Sequence, residues 1–73
     1  MTSQEIRDND GAIVIIHMDS GPEVGKLFRC KTTCLFERIR DEHLDKNNEA
    51  LCYIANSEEK PIYFDIDKLE LNQ

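Results

Sequence analysis

The sequence predicts a single, mainly β domain: a small barrel or a strongly bent antiparallel sheet of about five strands. Three observations carry that expectation. Ala12-Ile13-Val14-Ile15-Ile16-His17-Met18 is a near-unbroken apolar run in a polar chain, which predicts a central strand covered on both sides. Polar and apolar residues alternate over residues 26–34, 51–56 and 62–66, the period of half-buried strands. Turn formers separate these runs, as in Asn9-Asp10-Gly11 and Asp19-Ser20-Gly21-Pro22. The alternative is an α+β domain with one helix over residues 35–46 packed on a four-stranded sheet.

At 73 residues there is room for one domain. A chain this short buries only about 60–65% of the surface its unfolded form exposes, so its core is small. A staple, a metal, a second copy of the chain or a binding partner commonly completes such a core. The expected organisation is a flexible tail over residues 1–10, where Ile6 is the one aliphatic side chain after Met1, and one small domain over residues 11–73.

In chain order, the first strand ends by Asp19. Gly25 bends the chain into the second, where Phe28, Cys30, Thr32 and Cys34 face inward and Arg29, Lys31 and Thr33 face water. Residues 35–46 are ambiguous. As a helix they gather Leu35, Phe36, Ile39, His43 and Leu44 on one face; as a strand they alternate poorly. Thr33 is a poor cap, because the third residue after it is Phe36 rather than Glu. Strand is preferred here, because the flanks look like barrel pieces.

Asp45-Lys46-Asn47-Asn48-Glu49 reads as a loop. Residues 51–56 and 62–66 then form a hairpin joined by a polar connection over 57–60, with Pro61 at a strand start. Apolar parity is even through Ile66 and odd at Leu69 and Leu71. A strand cannot change face without a register break, so a tight 3₁₀-like turn at Asp67-Lys68 is expected before a short last strand. The stretch Tyr63-Phe64-Asp65-Ile66-Asp67-Lys68-Leu69-Glu70-Leu71 resembles the ending of SH3-like barrels. That resemblance implies an SH3-like barrel architecture and assigns no functional residue.

The formal net charge is −6 and the isoelectric point about 4.7, the wrong sign for non-specific attraction to nucleic acid or anionic membranes. The charge is segregated, however: residues 1–25 sum to −4, residues 26–40 to +4 and residues 41–73 to −6. Three cysteines, an odd number, and an opening without a basic-then-apolar segment point to a reducing compartment, most simply the cytoplasm. The run over 12–18 is far shorter than the roughly 20 apolar residues a membrane span needs, so no membrane partner is expected.

Cys30 and Cys34 form a C-x₃-C pair, with Cys52, His17 and His43 as further candidate zinc ligands. On one strand the two sulfurs would stand roughly 13 Å apart, and no second closely spaced pair exists, so filling of the core is the better reading of the cysteines. A Cys–His nucleophile lacks an orienting group. Gly21-Pro22-Glu23-Val24-Gly25-Lys26 is one residue short of a phosphate loop, and Leu27 stands where the hydroxyl would be. Asp65, Asp67 and Glu70 suit a solvated edge better than a cation site. No catalytic, cofactor or metal residue is assigned.

The expected function is therefore non-enzymatic: a small acidic protein-interaction module, an adaptor, regulator or inhibitor of a larger protein. Asp41, Glu42, Asp45, Glu49, Glu58, Glu59, Asp65, Asp67 and Glu70 would occupy a basic, nucleic-acid-binding surface of that partner. The alternative is a single-stranded nucleic-acid-binding barrel that uses Lys26, Arg29, Lys31, Arg38 and Arg40, interleaved with Phe28 and Phe36.

Overall fold

A computed structural model describes residues 1–30, 34–54 and 57–72; the side chains of 34 and 57–59 lie outside that description. The elements are α1 (Ser3–Asp8), β1 (Ile13–Met18), β2 (Gly21–Leu27), α2 (Cys34–Asn47), β3 (Glu49–Ile54), β4 (Ser57–Asp65), a 3₁₀ turn (Ile66–Lys68) and β5 (Leu69–Leu71). The five strands form one antiparallel sheet in the order β4-β3-β2-β1-β5. The sheet is mainly β as expected, but it is open, with β4 and β5 as edges rather than joined into a barrel.

Register assigns the faces. Val14 pairs with Gly25 and Leu71, Ile16 with Glu23 and Leu69, and Leu27 with Cys52. Val14, Ile16 and Cys52 are fully buried, and Leu27, Ala50 and Leu69 nearly so. Ile6 of α1, Leu44 of α2 and Ile66 of the 3₁₀ turn complete this core. The opposite face carries Ile13, which is 52% exposed, and Val24, 48% exposed. The first apolar run is therefore an interior strand covered on one side only, because 73 residues supply no second layer.

The stretch expected as a flexible tail contains α1. Thr2 and Glu5 form a reciprocal capping box, which satisfies otherwise unpaired N–H groups. The Met1 amine donates to the carbonyls of Ile66 and Leu69, both at 2.7 Å. Ile6 drops into the core, which gives a six-residue helix a tertiary reason to exist.

Two expectations over residues 26–46 are corrected. The second strand runs over 21–27, with Gly25 and Leu27 inward and Lys26 exposed; past its end Cys30 is buried and Arg29 exposed, as the alternation expected, whereas Phe28 is half-buried. Residues 31–33 lie outside the described residues. Residues 35–46 form most of α2, on a sheet of five strands and not four. The helix carries Glu37 in its first turn and Lys46 in its last, signs that suit its dipole. Asn48, at φ 57°, sits in the left-handed region and its N–H returns to the Leu44 carbonyl, the usual way to stop a helix. The expected loop over 45–49 is mostly this helix end.

The hairpin expected over 51–66 is present as β3 and β4, with Ala50 opposite Phe64 and Cys52 opposite Ile62. β4 already begins at Ser57, so Pro61 lies within it, tolerated because β4 is an edge. The parity change at the end is made by the 3₁₀ turn, where the Asp65 carboxylate accepts the Asp67 N–H at 3.0 Å.

At Gly25 the strands β1, β2 and β3 leave no room for a side chain. A Cβ there would lie 2.6 Å from Ile16 Cδ1 and 2.6 Å from the Tyr53 carbonyl oxygen. A backbone oxygen cannot turn aside, so Gly25→Ala is expected to cost about 1–3 kcal/mol. Urea titration should show a lower midpoint at unchanged slope; an unchanged midpoint would contradict this β2–β3 register.

Candidate interaction face

Leu27 points into the core and Lys26 to the other side of the sheet, while Phe28 follows just past the end of β2. Lys26 pairs with Tyr53, and the Phe28 N–H donates to the Leu51 carbonyl at 3.0 Å. The Phe28 ring meets Phe36 edge-on at 5.6 Å and lies 6.0 Å from Tyr53. Phe36, Ile39, Leu51 and Tyr63 join Phe28 in walling a cleft, with Leu27, Cys30, Ala50 and Ile6 beneath. The space within it that water can occupy is small, about 30 Å³. Arg40 and Glu49 are the charged groups of its lining.

Both charges have protein partners. His43 Nε2 lies 2.9 Å from the Glu49 carboxylate, and the imidazole stacks on Tyr63 with centroids 3.7 Å apart. Arg40 donates from Nε to Asp41 at 3.2 Å, and its Nη1 is 3.8 Å from Asp10. The Asp10 side chain, 1% exposed, accepts the Cys30 N–H at 2.7 and 2.9 Å. Arg7 then binds Asp41 at 3.1 Å and Asp45 at 3.2 Å. This chain of charges ties α1, α2 and the Phe28–Cys30 segment together.

The acidic candidates thus divide. Asp41 and Asp45 are held by Arg7, Glu49 by His43, Asp65 by its own turn, and Glu70 by His17 at 3.0 Å. Glu42 and Asp67 are exposed and outside any ion pair among the described residues. The side chains of Glu58 and Glu59 lie outside the described residues. Of the basic candidates, Arg40 is engaged internally, Lys26, Arg29 and Arg38 are exposed, and Lys31 lies outside the described residues.

The C-x₃-C pair does not share a strand: Cys34 opens α2. Burial, and after it the Asp10 charge, pushes the Cys30 thiol up, and burial alone pushes Cys52 up to about 12. Metal-binding thiolates need the opposite shift. Among the described residues no three His, Cys, Asp or Glu side chains gather as a metal site. The glycine-containing stretch over 21–26 is part of β2, not a loop before a helix.

The sequence reading gave no site role to Tyr53, Tyr63, Leu51 or Ile39. The expectation that Leu35, Phe36, Ile39, His43 and Leu44 share one helix face is corrected: nine residues set Leu44 opposite Leu35, and Leu44 is buried where Leu35 is exposed. Comparison of the chain with protein-family models, with curated proteins and with solved structures finds no match.

Burial works to raise the Asp41 carboxyl, but hydrogen bonds from Arg7 and Arg40 outweigh it and hold the group below its ordinary value. Its contribution to stability is present above the unfolded carboxyl value, about 4, and is lost as pH falls through the folded one. Asp41→Asn is expected to destabilise the protein at pH 7 and flatten the acid limb of a stability–pH curve. An unaltered acid limb would remove Asp41 from this network's pH response.

Proposed function

We propose that the protein is a non-enzymatic protein-interaction module, an adaptor, regulator or inhibitor that docks on a larger protein. The supporting observation is the aromatic cleft, whose walls include Phe36, Ile39 and Tyr63, 42%, 43% and 37% exposed. Aromatic anchors around a concave apolar centre are the usual energetic focus of protein interfaces. The chain's net charge of −6 would steer it towards a basic partner surface, including one that otherwise holds nucleic acid. Arg40 and Glu49 line the cleft but are engaged by neighbours, which fits a docking role better than proton transfer. No helix of the described residues is long and apolar enough to cross a membrane.

A second reading is single-stranded nucleic-acid binding. It is favoured by Lys26 lying opposite Tyr53 with Phe28 beside it, since stacking rings interleaved with cations are what such ligands use.

Capture from native extract, with and without nuclease, separates the two. Phe36→Asp is expected to abolish nuclease-resistant capture of a protein partner while circular dichroism stays unchanged, and raised salt should slow association. Capture lost on nuclease treatment, and weakened by Tyr53→Ala and Arg29→Ala, would replace the first reading by the second. Undiminished capture by Phe36→Asp would rule out the cleft as the docking site.

A further inference from the structure

Helix α2 buries one side and leaves the opposite side in solvent. Leu44 is 4% exposed, whereas Leu35 is 61% and Ile39 43% exposed. At 3.6 residues per turn, about 100° each, Leu35 and Ile39 lie one above the other, with Leu35 diametrically opposite Leu44. Leu35 is the most exposed large hydrophobic side chain among the described residues. Arg38 and Glu42, also four apart, run along one border of this stripe. Both are exposed, and neither is in an ion pair among the described residues.

The order of the charges selects an occupant. Basic precedes acidic along the helix, so a parallel copy would set Arg38 against Arg38 and Glu42 against Glu42. An antiparallel copy sets unlike charges together, twice. A twofold axis perpendicular to the helices keeps Arg38 and Glu42 on the same border of the seam, so both pairs form at once, as a self-complementary interface requires.

We propose that two copies of this chain associate through α2, antiparallel about a twofold axis level with Arg40, with Ile39 against the partner's Ile39 and Arg38 paired with the partner's Glu42. Leu35 then lies against the aliphatic stem of the partner's Lys46, one residue from the level of its counterpart. The interface removes from water the apolar stripe that the small core cannot cover. It goes beyond the docking role proposed for the cleft, since it needs neither Phe36 nor Tyr63, although Ile39 borders both surfaces.

Analytical ultracentrifugation of the full chain over a concentration series at low salt tests this. The wild-type chain is expected to show a monomer–dimer equilibrium. Arg38→Glu and Glu42→Arg should each weaken it at least about tenfold, because each sets two like charges together. Mixed in equal amounts, the two variants should associate as tightly as wild type, since each then supplies the charge the other lacks. Both positions are exposed, so circular dichroism should show intact folds. A wild-type chain that stays monomeric to roughly 1 mM, a dimer indifferent to both changes, or a mixture that does not recover would each overturn the proposal.

Discussion

One face of one sheet has to supply the whole core. Val14 and Ile16 of β1 lie at zero exposure between β2 and β5, and every other buried element turns towards them. Ile6, Leu44 and Ile66 arrive from α1, α2 and the 3₁₀ turn and cover the same face. This arrangement explains the close approach at Gly25, where any side chain would meet Ile16 and the β3 backbone.

The segregated charges are partly consumed in assembling this core. Asp10 is the clearest case: its side chain is almost wholly buried, and the cost of burying a carboxylate is offset by the Cys30 N–H and by Arg40. From Arg40 the pairing continues through Asp41 to Arg7 and Asp45. Such half-exposed pairs contribute little individually. Their effect is positional, because they tie α1 to α2 and α2 to the Phe28–Cys30 segment. The basic middle of the sequence is therefore a latch as well as a surface.

What the latch leaves outside is the functional content. Phe28, Phe36 and Tyr63, from the segment after β2, from α2 and from β4, meet around a cleft whose lining includes the core residues Leu27 and Ala50. Leu44 is the side chain that α2 buries in the core, Leu35 on the opposite side of the helix is left exposed, and Ile39 stands half-exposed at the wall of the cleft.

Local signals were legible wherever a residue's neighbours in sequence decide its state. The parity change between Ile66 and Leu69 demanded a break, and the 3₁₀ turn supplies it; alternation marked the β3–β4 hairpin. Thr2-x-x-Glu5 also carried the capping box of α1, although six residues make no stable helix until Ile6 is buried. The sequence by itself determined that the chain would be strand-rich, with its first apolar run inside the sheet. Only the tertiary structure decided that this run is covered on one side, that residues 35–46 coil, and which charges pair with one another. The one-sided cover and the charge pairs depend on contacts between segments far apart in the chain, such as Arg7 with Asp41, and the local pattern over 35–46 admitted a helix without selecting it.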